Sequence, residues 1–301
     1  MKGISFTHRG RYAKDEITYA NGDQSYLLHE EDDFEVLIEK MPKGTIGFLH
    51  TIHENVFEFS YILKGSMEMK DMDEVVVLKE GDTYSHRFLD RVFMYRVIED
   101  VEILNMNTGP YYNDYEEEYE SLMEVLQKLQ EVDGDTMEHC RRVKTLCMGI
   151  AYYLEIDPND VNPLFYASTF HDVGKSKIPL EILLKPARLT DEEYEIMKKH
   201  SLYTYEMIKD HYGENIATIA FEHHEKLDGT GYPRGLKANE IGIPARIICV
   251  ADAYDAMVIT RPYRKGMSKE AALKELHRCE ETQFDKKVID ALEIYLSECK
   301  K

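Results

Sequence analysis

The feature that most constrains the fold is a change of pattern near residue 108. Before this point the chain consists of short apolar segments broken by turn residues, such as FEFSYIL ending at Lys64-Gly65 and DEVVVL before Glu80-Gly81-Asp82. Such segments are typical of β-strands. After Asn107-Thr-Gly-Pro110 apolar residues recur at intervals of three and four, which is the spacing of a helix face. The sequence therefore predicts an α+β protein with an all-β first part and an all-α second part.

We expect three segments, with boundaries 1–108, 109–132 and 133–301. The first is predicted to be a small sensory β-barrel and the second a linker helix. The third is predicted to be a helical domain, in which the stretch LTDEEYEIMKKHSLYTYEMIKDHY, capped by Thr190, is the clearest helical pattern. The linker helix either joins two chains in a homodimer or packs on its own chain. Its apolar seam consists of Tyr115, Tyr119, Leu122, Leu126 and Leu129.

Length and charge exclude several classes of protein. The 301 residues are enough for two packed cores, and no apolar run approaches the roughly 20 residues of a membrane helix. The first residues lack the apolar stretch of a secretion signal, so we expect a cytoplasmic protein with no membrane partner. A net charge of −20 argues against binding to duplex nucleic acid. The five scattered cysteines form no Cys-x-x-Cys pair and are expected to be buried thiols.

Histidines are concentrated in the second half of the chain, where seven of the twelve lie between residues 139 and 277. Several stand beside a carboxylate or another histidine, and imidazole with carboxylate but no thiolate suits a catalytic iron, manganese, zinc or nickel site. Each residue alone has a simpler explanation: His200 as a surface histidine, Asp252 as a buried carboxylate bonded to the backbone. Their joint occurrence favours metal. The candidates are His139, His171, Asp172, His200, His223, His224 and Asp252.

Four stretches in this region resemble the successive motifs of the HD-GYP phosphodiesterases. They occur in the order of that family, and the resemblance covers about residues 133–284. The most specific of them is the long His-His-Glu-x-x-Asp-Gly-x-Gly-Tyr-Pro motif. The four stretches are FHDVGKSKIP, KPARLTDEEYEIMKKHS, FEHHEKLDGTGYPRGL and ARIICVADAYDAMVITRPYR.

The resemblance implies that the seven candidates bind two divalent metal ions, most simply iron or manganese, with Asp172 as the bridge. Two such ions clamp a phosphodiester and lower the pKa of a bound water, so that a metal-bound hydroxide attacks. Lys175 would contact the phosphate or protonate the leaving group, and the alternative is a surface lysine. Tyr232, Asp255, Arg261 and Arg264 are predicted substrate contacts, with Asp255 reaching the base or a water.

The sequence departs from the family pattern before His139. Asp135 lies four residues earlier, where some family members carry a glutamate that binds a third metal. A third ion held by Asp135 is one interpretation, and an N-terminal helix cap is the other. Val258-Ile259-Thr260 replaces a more polar run before Arg261, which bears on base preference.

The first part of the chain is similar to a cupin barrel over about residues 30–105. The similarity rests on the spacing from His53 through Glu58 to Gly65. Thr51 stands where a metal-binding cupin has its first histidine, with His50 one position away, and His86 is only near the position of the last ligand. We therefore expect a barrel that binds an unknown small ligand or forms dimer contacts, rather than a metal.

The resemblance to HD-GYP phosphodiesterases implies an enzyme that hydrolyses cyclic di-GMP to linear pGpG, and further to GMP after a second cut. We expect the N-terminal domain to control this activity. Two alternatives stay open: hydrolysis of cyclic GMP-AMP, or a receptor that binds a cyclic dinucleotide without cleaving it. A third alternative is a nucleotide phosphohydrolase or nuclease with an HD domain. It is disfavoured because such an enzyme does not require the loop that contains Gly231-Tyr232-Pro233, called here the GYP loop.

Overall fold

The computed structural model describes residues 16–18, 23–31, 34–49, 57–71, 74–87, 89, 92–108, 116–260 and 265–298. The chain divides into two compact units, residues 1–117 and 118–301, called here the β unit and the helical unit. The first unit is rich in strands and the second is helical, so the predicted α+β class is confirmed. The division into barrel, linker and helical domain at residues 108 and 132 stays a prediction.

The described residues of the β unit form an antiparallel sheet of eight strands. Six of them lie in the order β1-β2-β3-β8-β5-β6, while β4 pairs with β8 and β7 pairs with β5. The strands are β1 Glu16–Thr18, β2 Gln24–Glu31, β3 Phe34–Met41, β4 Ile46–Leu49, β5 Glu58–Asp71, β6 Glu74–Lys79, β7 Thr83–His86 and β8 Phe93–Thr108.

The long strands β5 and β8 form the centre of this sheet. Their register shifts between Ile62 and Met67, where Gly65 takes a φ of +81°. A Cβ atom at Gly65 would lie 2.1 Å from the carbonyl oxygen of Asp100, so only glycine allows the two strands to approach here. Alternate residues of β8 face a common interior, and Val97, Val101 and Ile103 are buried there.

The helical unit consists of nine described helices and two short 3₁₀ segments, Val173–Lys177 and Ala238–Glu240. The helices are α1 Glu116–Asp133, α2 Thr136–Leu154, α3 Pro158–Phe170, α4 Leu180–Leu183, α5 Asp191–Met197, α6 His200–Phe221, α7 Ile243–Val258, α8 Lys269–Arg278 and α9 Lys286–Glu298. Among the described helices, none is long and apolar enough to cross a membrane.

Two details differ from the sequence expectations. Thr190 caps a helix as predicted, in a capping box with Glu193, but the helical stretch that it begins is two helices rather than one. The break at Lys198 and Lys199 lets His200 Nδ1 bond to the carbonyl oxygen of Met197 at 2.8 Å. His200 therefore begins α6 as a buried residue.

The apolar seam of α1 is already covered within one chain. Leu122, Leu126 and Leu129 are all buried. Tyr115 and the side chain of Tyr119 lie outside the described residues. The buried leucines favour packing of α1 on its own chain over a seam left free for a second copy.

We expect the core of the helical unit to depend on residues such as Leu164 of α3, which is fully buried. Replacing Leu164 by Ala should lower the free energy of unfolding by about 2–5 kcal/mol, because the substitution leaves a cavity. Leu180, which is 54% exposed, is the matched control, and its Ala variant should change stability by less than about 0.5 kcal/mol. Urea unfolding followed by far-ultraviolet circular dichroism measures both. Equal losses in the two variants would contradict this packing.

Candidate metal centre

The helical unit brings the predicted ligands together in two groups. One consists of His139, His171 and Asp172, and the other of His200, His223 and His224. Within each group the potential ligand atoms lie within 4.8 Å of one another. The residues come from α2, the end of α3, the start of α6 and the turn after α6, which the packing of α2, α3, α6 and α7 brings to one place.

Two carboxylates, that of Asp172 in the first group and that of Asp252, lie between the histidines of the two groups. Asp172 Oδ2 lies 3.5 Å from His139 Nε2, and Asp172 Oδ1 lies 3.5 Å from His200 Nε2. Asp252 from α7 repeats this arrangement, with Oδ1 3.2 Å from His139 Nε2 and Oδ2 3.9 Å from His224 Nδ1. Each carboxylate therefore turns one oxygen toward each histidine group, which is the geometry that a ligand shared by two ions requires.

Three of the imidazole rings are held by their Nδ1 atoms, whereas Nδ1 of His224 faces Asp252. His171 Nδ1 contacts the carbonyl oxygen of Ser168 at 2.8 Å, and His223 Nδ1 contacts that of Ala220 at 2.6 Å. His200 is held by Met197 in the same way. A carbonyl oxygen accepts only from a protonated Nδ1, so these contacts leave Nε2 with a free lone pair. Metal-ligating histidines are oriented in this way in general.

Several atoms at the centre have no partner within the described structure. Asp172 Oδ1, His200 Nε2 and His223 Nε2 are buried and make no hydrogen bond. A buried polar atom without a partner costs about 1–3 kcal/mol. Three of them directed into one site fit a cation with open coordination positions, so the donor set fits divalent metal ions.

The charge states of His200 and His223 suit metal binding, whereas His139 has to lose a proton before it can bind an ion. Burial lowers the pKa of His200 and of His223 to about 4, so both rings are neutral near pH 7. Burial also acts to lower the pKa of His139, but hydrogen bonds to Asp252 and Asp255 outweigh it and raise that pKa to about 9. Burial would raise the pKa of Asp172, yet Lys175 and the histidines hold it well below its usual value.

The segment that carries Asp172 is fixed against α6 by Gly174 and Thr204. The backbone N–H of Gly174 donates to Thr204 Oγ1 at 2.9 Å, and that hydroxyl donates to the carbonyl oxygen of His171 at 3.0 Å. A Cβ atom at Gly174 would lie 2.2 Å from the carbonyl oxygen of His200. Glycine at this position therefore allows the two ligand-bearing segments to come into contact.

Lys175 lies at the centre rather than on the open surface. Its Nζ is 2.6 Å from Asp172 Oδ2, and burial that would lower its pKa is outweighed by this carboxylate, which raises it. The ammonium group is therefore charged and lies beside the oxygen that faces His139 and His171. The position agrees with the predicted phosphate contact, which stays a prediction.

Asp255 occupies a different place from the one expected for a substrate contact. It is buried, and its Oδ2 is 2.7 Å from His139 Nδ1. Arg142 donates to both of its carboxylate oxygens, at 2.7 Å and 3.0 Å. With both oxygens engaged in this way, Asp255 orients His139 instead of contacting a base.

Asp135 does not join either ligand group. Its Oδ1 accepts from Arg142 at 3.1 Å, and its side chain makes no capping bond although it holds the N-cap position of α2. Asp133 takes the capping role instead, accepting from the backbone N–H groups of Asp135 and Thr136 at 3.1 Å each. Neither interpretation made for Asp135, third-metal ligand or helix cap, matches these contacts.

The GYP loop is closed by one residue that the sequence reasoning did not single out. The buried carboxylate of Glu225 accepts from three successive backbone N–H groups, those of Arg234, Gly235 and Leu236, at 2.6–3.1 Å. A Cβ atom at Gly231 would lie 2.4 Å from the backbone nitrogen of Lys226. The position of Glu225 directly after the two histidines was the only signal for this role.

Tyr232 is placed by this loop against the second histidine group. Its ring centre lies 4.7 Å from that of His224, and its backbone N–H donates to the His224 carbonyl at 3.2 Å. Lys198 Nζ lies 5.8 Å from the centre of the Tyr232 ring. Tyr232 thus forms a wall of the centre, as expected for a substrate contact.

Arg261 and Arg264 lie outside the described residues, so their predicted contacts stay predictions. His277 bonds to Glu280 at 3.0 Å and belongs to neither ligand group, as expected. Arg142 and Thr204 were missed because a lone arginine and a lone threonine in helices carry no sequence signal.

We expect the orientation of His139 by Asp255 to be measurable as metal affinity. Replacing Asp255 by Asn weakens the bond to His139 Nδ1, so affinity for Mn²⁺ should fall about 10–100-fold. Isothermal titration of the metal-free protein measures this loss. Asp290→Asn, at an exposed carboxylate on α9 that pairs with Lys286, is the control and should bind as the unchanged protein does. Unchanged affinity in the Asp255 variant would show that this contact does not support the site.

The helical part of the chain matches a known protein family. Residues 111–288 match the family model described as "HD domain", which is more than half of the chain. A cyclic di-GMP phosphodiesterase of Thermotoga maritima is 36% identical, with the match covering 69% of this chain and 59% of that protein. The response regulator RpfG of Xanthomonas campestris pv. campestris, a cyclic di-GMP phosphodiesterase, is 36% identical over 60% of this chain and 49% of its own length.

A third relative carries a different substrate in its name. The 3'3'-cGAMP-specific phosphodiesterase 1 of Vibrio cholerae is 36% identical, over 52% of this chain and 37% of that protein. The chain thus spans about half the length of the curated relatives that it matches.

Solved structures are similar to each unit at low identity. A cyclic GMP-AMP specific phosphodiesterase of V. cholerae matches 59% of this chain and 48% of its own, with 19% identity and a TM-score of 0.46. KdgF from Halomonas sp. matches 33% of this chain and 89% of its own, with 20% identity and a TM-score of 0.29. The relatives and the motifs confirm the predicted resemblance to HD-GYP proteins, and the chain belongs to the HD domain family.

Proposed function

We propose that the helical unit is a metal-dependent phosphodiesterase that hydrolyses a cyclic dinucleotide. Cyclic di-GMP is the preferred candidate substrate, and linear pGpG is its product. A second cut would give GMP. The observation that carries this proposal is the placement of Asp172 and Asp252, each with one oxygen toward each of two histidine groups. When two divalent ions are bound, they supply a water of lowered pKa and a clamp for the phosphodiester.

The donor set supports iron or manganese as the ions. Imidazole nitrogen and carboxylate oxygen are the only donors in the two groups. Cys140 is buried nearby, and burial together with Asp172 raises the pKa of its thiol well above the usual value, so it stays protonated. We propose two ions and no third, because Arg142 holds the carboxylate of Asp135.

The residues of this chain would divide the remaining work. Asp172 and Asp252 would each bind both ions and so fix the spacing between them. His171, His200 and His223 offer neutral rings that backbone carbonyls hold in place. The Lys175 ammonium group provides a positive charge and a proton beside Asp172, where charge develops on the leaving oxygen.

The wall formed by Tyr232 supports a substrate with a flat base. An aromatic face offers stacking to any nucleobase, worth about 1–3 kcal/mol per base. Lys198 lies over the same ring and adds positive charge beside it. Arg261 and Arg264 are proposed to contact phosphate or the acceptor edge of guanine.

Cyclic GMP-AMP is a second candidate substrate. The relatives named as specific for 3'3'-cGAMP are 35–38% identical to this chain, and those named for cyclic di-GMP are 33–38% identical. The non-catalytic receptor is less well supported, because all seven predicted ligands are present in the chain and lie in one place. We also propose that the β unit regulates this reaction, through a small ligand of its own or through a homodimer.

We expect Lys175 to matter for turnover and a neighbour in the same segment not to. Lys175→Met removes the charge beside Asp172 and should lower kcat about 10²-fold or more, with little change in bound metal. Lys177→Met is the matched control, since Lys177 is exposed, lies 5.6 Å from the centre of the Tyr203 ring and pairs with Glu206 at 3.7 Å. Its activity should stay within about twofold of the unchanged protein. Similar rates in both variants would remove Lys175 from the mechanism.

The proposed reaction itself is tested with protein purified without oxygen and loaded with Fe²⁺ or Mn²⁺. Cyclic di-GMP, cyclic GMP-AMP and deoxynucleoside triphosphates are incubated separately and the products are separated by chromatography. A linear dinucleotide that forms only with metal, and not with the Asp172→Ala variant, supports the phosphodiesterase and ranks its substrates. Tight binding of cyclic di-GMP without turnover by the metal-loaded protein would instead identify a receptor.

A further inference from the structure

The interior of the β unit is apolar at one end and polar at the other. The apolar end is a buried cluster that includes Ile62, Val101 and Ile103. Two residues further along each central strand the same face becomes polar, with Ser60 on β5 and Asn105 on β8, both buried. A domain of this size gains stability from an apolar core, so a polar half of the interior needs another explanation.

The polar half is a connected set of side chains. Ser60 Oγ lies 3.2 Å from Glu58 Oε1 and 2.7 Å from Asn105 Oδ1. Asn105 Nδ2 donates to Glu39 Oε2 at 2.8 Å, so the connection runs across β5, β8 and β3. The connected set therefore joins a carboxylate on β5 to a carboxylate on β3.

Two further side chains face this set without satisfying it. Asn107 is 1% exposed and stands opposite Glu58 in the β5–β8 register, so both point to the interior. Its Oδ1 has no hydrogen-bond partner in the described structure. His86 on β7 also stands opposite Glu58, with Nε2 3.5 Å from Glu58 Oε2, and neither of its ring nitrogens makes a hydrogen bond.

Asn107 Oδ1 at this end is a buried acceptor without a hydrogen bond, and the charge around it is negative. Glu35 and Glu58 are buried, and no lysine or arginine is buried among the described residues of the β unit. Burial and the neighbouring Glu58 raise the pKa of Glu39 to about 7, which is what a carboxyl group lacking a nearby cation experiences. An anionic ligand would be repelled, whereas a cation supplies both the missing donors and the missing charge.

A metal ion fits the described residues poorly. The two groups of potential metal ligands found among them both belong to the helical unit. The polar end instead offers acceptors spread over several strands, which matches a ligand with N–H donors distributed along its length.

We propose that the polar end of the β-unit interior, formed by Glu58, Ser60, Asn105, Glu39, Asn107 and His86, binds a small organic cation with one or two amine or guanidinium groups. Glu58 and Asn107 accept from one end of the ligand. Glu39 lies at the far end of the connected set and accepts from a second donor group. This proposal does not depend on the reaction of the helical unit.

The test uses the full chain with arginine, putrescine and spermidine as probes, and glutamate and Mn²⁺ as comparison ligands. Thermal unfolding and isothermal titration are measured with each. At least one of the three cations should raise the Tm of the β unit by about 5 °C or more at saturating concentration. Glutamate should cause no shift. Binding of Mn²⁺ to the β unit with no response to any cation would overturn the proposal in favour of a metal site, and no response to any cation would also overturn it.

Matched variants separate this site from general attraction to an acidic protein. Glu58→Gln should weaken cation binding about tenfold to hundredfold, since it removes a charged acceptor. Glu74→Gln, at an exposed carboxylate on β6, should bind as the unchanged protein does. Glu39→Gln keeps an acceptor for Asn105 and serves as a second variant if Glu58→Gln fails to fold. Equal binding by the Glu39 or Glu58 variant and by Glu74→Gln would show that the cations bind to surface charge only.

Discussion

The helical unit depends on two carboxylates that lie among imidazole rings, of which Asp172 is buried and Asp252 is half-buried. A carboxylate removed from water costs several kcal/mol unless charge or hydrogen bonds compensate it. Lys175 lies 2.6 Å from Asp172 and provides part of this compensation, but Asp172 Oδ1 and the Nε2 atoms of two histidines remain without partners. Bound cations would supply the missing partners of these atoms. The packing of α2, α3, α6 and α7 holds the ligand-bearing segments in place.

The outer contacts of the centre come from ordinary backbone geometry. A histidine at or just after a helix end can reach the carbonyl oxygen three residues earlier, and His171, His200 and His223 all do so. His139 lies within α2, where carbonyl groups are used by the helix, and takes the Asp255 carboxylate instead. Arg142, one turn along the same helix, then neutralises Asp255. Each of these four rings therefore presents Nε2 to the interior of the centre.

Most of the residues that meet at the centre could be predicted from the sequence, because all of the candidates except His139 belong to motifs of fixed spacing and His-His-Glu-x-x-Asp-Gly-x-Gly-Tyr-Pro is long. The change from strands to helices near residue 108 was equally visible, since the two periodicities differ. The roles of Asp255 and Asp135 could not be predicted, because both depend on Arg142, whose contact with Asp255 crosses from α2 to α7. Similarly, the polar interior of the β unit follows from strand register, which short alternating segments do not specify by themselves.

The most direct test of the two-ion centre is a crystal structure of the protein loaded with Mn²⁺, with the ions located by anomalous scattering. The account predicts two peaks about 3.5–4 Å apart, on either side of the Asp172 carboxylate. One would lie beside His139 and His171, and the other beside His200, His223 and His224. A single peak, or ions bound away from Asp172, would contradict the shared carboxylate and with it the proposed chemistry.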